Sequence, residues 1–321
     1  MHSIHHRLFA IFSLLLAGLL VACGTPEDFQ PPSDEAPSRE ELIGRLQSPD
    51  EYEDVERFRI KAVTSFSGEL YPDGFMDAAE SGEITVEADV TTNPPAIHLR
   101  MITPAFASAS APDTLQMMAI DGRFWVDEGD GWEEQDPELE AIFSYLLESF
   151  TDLSKPTGPL GDSPETTELL REAEIVGTDE INGRRTTHFH MSTEAHIALM
   201  MERYEEPVEG ADGDACDDLE ALGDDARDLD DGEGMDAFFE CMGTALVGEM
   251  PPPDEYIERF DVDLWISDDG FVMREHTVME MSYMPMLALF DDDQRSPIAM
   301  ETTFDLYDLN ADFEITPPEI E

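Results

Sequence analysis

Three histidines in one short stretch of the chain could bind a metal ion. His188 and His190 lie two residues apart on a predicted strand, and His196 follows six residues later. Imidazole nitrogens are common zinc ligands. However, His188 and His190 share one strand face with Arg184 and Thr186, and histidines on such a polar face ordinarily face solvent. We therefore predict no metal site here, with metal binding as the alternative.

An acidic pattern near the C-terminus is similar to a calcium-binding loop. Asp308, Asn310 and Asp312 alternate with other residues, as the first ligands of such a loop do. The glycine that the loop needs at its sixth place is Phe313 in this chain, and two prolines follow. We therefore predict no specific calcium site here, and expect weak calcium binding to the acidic surface in general.

The sequence contains none of the common catalytic motifs. It has no Gly-x-Ser-x-Gly elbow, no glycine-rich phosphate loop and no Cys–His pairing. Its 75 Asp and Glu against 17 Lys and Arg are too many for a catalytic acid pair to be singled out. The formal net charge of −58 repels nucleic acid and anionic head groups. We predict that the protein is not an enzyme, needs no cofactor and binds no nucleic acid.

The N-terminal segment is typical of a bacterial lipoprotein. An apolar run, too short to span a bilayer comfortably, ends in the sequence LVAC at Cys23. This pattern matches the lipobox, whose cysteine is acylated and becomes the new N-terminus. We predict a signal peptide at residues 1–23, a lipid anchor on Cys23, and a flexible Pro-rich acidic tether at residues 24–37. The body would then be held at an envelope membrane on its extracytoplasmic side, in the periplasm or at the cell surface. An ordinary secretory signal that contains Cys23 by chance is the alternative.

The other two cysteines lie in a strongly acidic insertion at about residues 205–255. Cys216 and Cys241 are the only thiols left once Cys23 is lipidated, and the predicted compartment is oxidising, so we expect a disulfide between them. A metal site with two thiolates is the alternative. The insertion could also attract a cationic partner or calcium.

Most of the remaining chain alternates apolar and polar residues, as β-strands do. The clearest hairpin turns at Asn182-Gly183, where two positive φ angles would form a type I′ turn. After this turn Phe189 and Met191 face inward. We predict one large antiparallel sheet whose ends this hairpin brings together.

Helices are predicted to cover the apolar face of the sheet. Ser38 and Glu41 form a capping box at the start of one helix. A second helix, at residues 137–153, carries an apolar stripe that includes Phe143 and Leu147. This stripe could simply be core, or the helix and the sheet could enclose an incompletely filled cavity. The loop at residues 104–112 is a second candidate lid.

Taken together, the lipobox and three later motifs resemble the LppX/LprG-type bacterial lipoproteins, which have the LolA-like fold. These motifs are the INGRRTTHF hairpin, VDLWI before an Asp-Gly turn, and FDLYD followed by ITPP at the end of the chain. The resemblance covers most of residues 40–318, outside the insertion. It implies an α+β fold at residues 38–318, in which helices cover the concave face of a strongly curved antiparallel sheet, a half-barrel.

The resemblance also implies a hydrophobic cavity that binds lipid or acyl chains, with lipid or lipoprotein transport as a further role. We place the cavity wall on inward-facing residues of the sheet and of the 137–153 helix: Phe66, Val86, Leu99, Met117, Phe143, Leu147, Phe189, Met279 and Phe304. Methionines recur on these faces, and their flexible side chains suit varied acyl chains but also fill ordinary cores. The alternative function is a surface lipoprotein without a ligand, whose acidic insertion binds a cationic partner or calcium.

Overall fold

The computed structural model describes residues 37–46, 55–68, 81–103, 114–135, 164–204, 251–283 and 297–319. These residues form one eleven-stranded antiparallel sheet and four helices. The strands are β1 (Arg57–Ser67), β2 (Ser81–Thr92), β3 (Pro95–Ile102), β4 (Thr114–Ile120), β5 (Arg123–Asp127), β6 (Trp132–Glu134), β7 (Glu174–Ile181), β8 (Arg184–Met191), β9 (Ile257–Ser267), β10 (Val272–Met281) and β11 (Ile298–Tyr307). The helices are α1 (Arg39–Leu46), α2 (Pro164–Glu172), α3 (Thr193–Tyr204) and α4 (Pro253–Tyr256).

The sheet consists of two meanders joined side by side. Its strand order is β6-β5-β4-β3-β2-β1-β11-β10-β9-β8-β7, so each meander follows the chain and β1 pairs with β11 between them. The sheet is curved and open, which confirms the predicted fold class. The predicted role of the β7–β8 hairpin was wrong, because this hairpin forms one edge and does not pair with β6 at the other. The pairing of the first strand with the last joins the two halves instead.

The two faces of the sheet differ sharply in polarity. On one face, cross-strand pairs such as Arg59–Asp89, Lys61–Glu87 and Arg274–Asp305 bring opposite charges within 3.0 Å. The alternate residues of the same strands are buried or half-buried and mostly apolar. We call these the outer face and the inner face. This alternation places the core on the inner face, as the period of two predicts.

The β7–β8 turn has the predicted conformation. Asn182 and Gly183 have φ angles of 51° and 80°, as both central residues of a type I′ turn require. Arg185, just after the turn, makes a 2.8 Å ion pair with Asp268 in the β9–β10 turn. The hairpin is thereby tied to the end of its neighbour.

Short helices cover the inner face over strands β8 to β11. The α1 helix begins at the predicted capping box, where the Ser38 N–H donates to Glu41 Oε2 at 2.7 Å. Buried leucines and isoleucine of α1, with Leu170 of α2, pack on Phe189 and Leu264. The α3 helix covers the neighbouring part of the face through Ile197 and Met200.

Several predicted features lie outside the described residues. They are the signal peptide with Cys23, the tether apart from its last residue, the 104–112 loop, the 137–153 helix with Phe143 and Leu147, and the insertion up to residue 250 with Cys216 and Cys241. Of the helices that the structure describes, none has the length and apolar character needed to cross a bilayer.

Candidate functional site

A continuous row of buried side chains crosses the inner face. Cross-strand pairing aligns one residue from each of eight neighbouring strands. In the sheet order β4-β3-β2-β1-β11-β10-β9-β8, these residues are Leu115, Met101, Val86, Ala62, Phe304, Glu275, Leu264 and Phe189. None of the eight is more than 8 % exposed. Seven are apolar, and the eighth is a glutamate near the middle of the row.

The next row along the strands is polar at its centre. Thr64, Thr302 and Thr277 are direct neighbours on β1, β11 and β10, with Ile84 and Val262 at either side. The hydroxyl oxygens of Thr64 and Thr302 are 3.1 Å apart and share a hydrogen bond. These three threonines and Glu275 form what we call the inner-face polar strip.

Glu275 is the most unusual residue of the strip. Its Oε1 accepts a 2.6 Å hydrogen bond from the Thr277 hydroxyl, whereas its Oε2 has no hydrogen-bond partner in the described part of the chain. Burial disfavours the charged carboxylate and raises the pKa of Glu275 to about 8, against the opposing effect of the Thr277 hydrogen bond. At neutral pH the side chain is therefore mainly a neutral acid that can donate a hydrogen bond.

A second buried titratable group lies where α3 covers the sheet. The ring of His196 packs on the ring of Phe260, with the two ring centroids 4.2 Å apart. Nδ1 of His196 has no hydrogen-bond partner among the described residues. Burial lowers the pKa of His196 to about 4, although Asp261 favours the charged form. His196 is therefore neutral at physiological pH.

The end of the inner face beneath α3 is rich in methionine and incompletely buried. Met279, Met300 and Phe260 lie side by side on adjacent strands, and Met200 of α3 belongs to the same cluster. These four side chains are only partly buried, in contrast to the fully buried row that contains Glu275. Flexible thioethers at a half-open apolar edge can rearrange around a varied apolar partner.

The predicted wall residues on the sheet share the inner face but fall into three groups. Val86, Leu99, Met117 and Phe304 belong to one cluster on β1 to β5 and β11. Phe189 lies beneath α1 and α2. Phe66 and the partly buried Met279 lie beneath α3. Their role as a ligand-binding wall remains a prediction.

The three histidines considered as metal ligands do not come together. His188 Nε2 and His190 Nδ1 lie 2.7 Å and 3.0 Å from the same oxygen, Oδ1 of Asp263, on the outer face. His188 also stacks on Trp265 with ring centroids 4.3 Å apart, which explains why it is less exposed than its polar face suggests. His196 lies on α3 against the inner face. Among the described residues, no group of three His, Cys, Asp or Glu side chains could hold a metal ion.

The acidic C-terminal pattern is used to fix the chain end to the sheet. Asp308 Oδ2 accepts a 2.8 Å bond from Arg59, and Asn310 Oδ1 accepts a 2.9 Å bond from the Glu56 N–H. Asp312 makes a 3.2 Å ion pair with Arg57. The side chains that resemble calcium ligands thus have partners on β1 and the residue before it.

Most of the inner-face polar strip was not predicted from the sequence. The inner face of β10 and β11 was predicted from its methionines, isoleucine, phenylalanine and leucine, without Glu275, Thr277 and Thr302. A strict period of two places all three of these residues on the same face as Met273 and Phe304. The available signal was therefore a carboxylate at an inward position.

Comparisons with known proteins return similar structures and no sequence matches. No family model matches the sequence, and no curated protein matches it. The lipoprotein LppX from Mycobacterium tuberculosis is similar over 87 % of this chain and 100 % of its own, with 11 % identity and a TM-score of 0.35. LprF from Mycobacterium bovis is similar over 88 % and 99 % of the two chains, with 14 % identity and a TM-score of 0.36. A LolA superfamily protein from Nitrosomonas europaea is similar over 88 % of this chain and 96 % of its own, with 7 % identity and a TM-score of 0.19. LppX and a LolA superfamily protein, which belong to the groups named by the resemblance in the sequence, are among these structures.

Proposed function

We propose that the protein is an extracytoplasmic lipoprotein that binds a lipid or acyl chain between the inner face of the sheet and its covering helices. One observation supports this proposal above the others: the buried apolar face is much wider than the described helices. The buried row crosses eight strands about 4.8 Å apart, which span about 34 Å along the curved sheet. The α1 and α2 helices, of 8 and 9 residues, are each only about 12–14 Å long.

The binding energy would come from removing the chain of the ligand from water. Each methylene group transferred into an apolar site contributes about 0.8 kcal/mol. The half-buried methionines beneath α3 offer the ligand an adaptable entrance. Because α3 packs on this edge, release would require α3 to move away from the sheet.

The proposed anchor is the lipidated Cys23, joined to the sheet by the tether at residues 24–37. Two or three acyl chains on one cysteine hold a protein durably at a membrane, whereas one chain is marginal. The anchor would keep the ligand-binding body close to its lipid source. Transport of lipid or lipoprotein between membranes is the further role that this arrangement would serve.

The experiment uses the mature chain, residues 23–321, secreted to the periplasm with Cys23→Ser so that it carries no lipid of its own. Binding of an uncharged fluorescent hydrocarbon, diphenylhexatriene, is measured for the parent and for Met279→Trp, which adds bulk on the inner face. Val278→Trp is the matched control, because it adds the same bulk on the outer face of the same strand.

We expect Met279→Trp to weaken binding at least tenfold, while Val278→Trp binds as the parent does. Circular dichroism establishes that both variants are folded. Unchanged binding in Met279→Trp would contradict the assignment of the inner face. A parent that binds no probe would instead favour the alternative, a surface lipoprotein whose acidic insertion binds a cationic partner or calcium.

A further inference from the structure

The inner-face polar strip interrupts a face that is otherwise built to exclude water. The strip lies in two neighbouring rows of the inner face, the buried row and the row of threonines beside it. On strands β1, β2, β8, β9, β10 and β11, Glu275 is the one ionisable residue in these two rows. A buried polar atom without a hydrogen-bond partner destabilises the folded protein. A carboxyl oxygen left in this state points to a partner that the described residues do not supply.

The hydrogen-bonding capacity of the strip is that of a donor. Oε1 of Glu275 accepts the Thr277 hydroxyl bond at 2.6 Å, so the neutral acid that keeps this bond carries its proton on Oε2, where it can donate to a ligand. Thr64 and Thr302 share one hydrogen bond, and the hydroxyl that accepts it keeps its own hydrogen. Two O–H donors therefore lie on adjacent rows of the inner face.

We propose that the inner-face polar strip binds the carbonyl oxygen of an uncharged acyl ester, with Glu275 Oε2–H as the donor and the acyl chain lying along the apolar rows. This assignment rests on the proposed function, because it requires that the inner face accepts a ligand. It adds the chemical class of the polar group: an ester carbonyl, as in glycerides and other neutral acyl lipids.

Charged head groups fit the strip poorly. The two rows hold no cation that could pair with a carboxylate or phosphate. A cationic amine would need Glu275 in its charged form, which burial disfavours. The nearest elements on this face bring few other charges inward. Of the charged side chains on α1 and α2 that the structure describes, Glu40, Glu41, Glu168, Arg171 and Glu172 are exposed, and Arg39 and Arg45 are partly exposed. The guanidinium of Arg39 is bound to the backbone carbonyls of Arg171 and Ala173. The α3 helix contributes His196, which is neutral at physiological pH.

The test uses probes of similar chain length that differ in their polar end. Methyl myristate, pentadecane and tetradecylamine each compete with a fluorescent hydrocarbon, diphenylhexatriene, for the secreted mature chain. The variants are Glu275→Leu, which removes the donor, and Glu275→Gln, which keeps an N–H donor of similar shape. Glu280→Gln is the control, because Glu280 lies on the outer face of the same strand.

We expect the parent to bind the ester about tenfold more tightly than the hydrocarbon. Glu275→Leu should lose this preference while its affinity for pentadecane is unchanged, and Glu275→Gln should keep part of it. An equal preference in the parent and in Glu275→Leu would overturn the assignment and leave the proposed function intact. A preference for the amine would overturn the ester class. Failure of every probe to bind the parent would overturn the proposed function itself.

A second readout separates recognition from a purely structural role. Isotope-edited NMR of the Glu275 carboxyl carbon reports its pKa directly. If the ester accepts the proton of Oε2, the ester stabilises the neutral acid, so the pKa of Glu275 rises when methyl myristate binds and is unchanged by pentadecane. A pKa that falls, or that responds equally to both probes, would contradict the proposed hydrogen bond.

Discussion

Nδ2 of Asn182 donates a 2.8 Å hydrogen bond to the backbone carbonyl of Leu306. Asn182 is at the turn of the edge hairpin β7–β8, and Leu306 is on β11, with β9 and β10 between them in the sheet. A residue at the edge can reach a strand three places away only if the hairpin folds over the end of the sheet. This contact therefore supports the strong curvature that the half-barrel requires.

Loss of this contact should destabilise the protein measurably. In Asn182→Gly the positive φ of 51° is retained without strain and only the amide is lost. We expect the free energy of unfolding to fall by about 1 kcal/mol, as for one partly buried hydrogen bond. Urea denaturation measures this change. Asp121→Gly, at the equivalent position of the β4–β5 turn where φ is also 51°, is the control. An equal loss in both variants would show that the turn, and not the contact with Leu306, is responsible.

Stability should fall with rising pH because of Glu275. Its pKa in the folded protein, about 8, is above the ordinary value of 4.5. Between these pH values the folded state holds a proton that the unfolded state has lost, so the free energy of unfolding decreases as pH rises. The difference across the window is on the order of 5 kcal/mol. The free energy of unfolding of Glu275→Gln should not show this decrease with pH. Glu301→Gln, a substitution of an exposed glutamate, should show the same decrease as the parent. Parallel stability–pH curves for the parent and Glu275→Gln would contradict the burial of this carboxyl.

His196 should act in the opposite direction at lower pH. Its pKa is about 4 in the folded protein, below the ordinary value of 6.5. Between these values the unfolded state binds a proton that the folded state does not, so stability is lost as pH falls from 6.5 towards 4. We expect His196→Gln to flatten the thermal stability profile in that range, and His276→Gln, a variant of an outer-face histidine, to leave it steep. An unchanged slope in His196→Gln would mean that His196 is not buried in solution.

An arginine of α1 satisfies backbone carbonyls at the end of α2. Arg39 donates to the carbonyl of Arg171 in the last turn of α2 and to that of Ala173 just after the helix. Replacing Arg39 with alanine removes both bonds, so α1 should open more readily. Hydrogen exchange should then be faster at Leu42 and Ile43, with little change for Glu40→Ala. Exchange rates in Arg39→Ala equal to those of the parent would show that apolar packing alone holds the helix.

Local features of the fold could be predicted from the sequence because each depends on neighbouring residues. The capping box at Ser38 and Glu41, the Asn182-Gly183 turn and the alternation along β1 and β9 were all correct. The pairing of β1 with β11 was not predicted, because alternation shows which face a residue occupies but not which distant strand lies beside it. The same limit led to the wrong prediction that the edge hairpin joins the ends of the sheet.

The candidate site was predicted in outline and missed in its polar part. The seven wall residues on the sheet all lie on the inner face, because apolar alternation identifies that face well. Glu275 was missed because a glutamate is ordinarily placed outside, and only its register between Met273 and Thr277 places it inside. Among the described residues Glu275 Oε2 has no hydrogen-bond partner. This depends on side-chain packing, which the sequence pattern does not encode.

The central claim, that the inner face holds a hydrophobic ligand, is tested most directly by native mass spectrometry of the secreted mature chain, followed by organic extraction. We predict a mass that exceeds the polypeptide by one lipid per chain, and an extract that contains a neutral acyl ester. A mass equal to that of the polypeptide alone, with no uptake when acyl lipids are added, would contradict the claim. The inner face would then be an ordinary protein core.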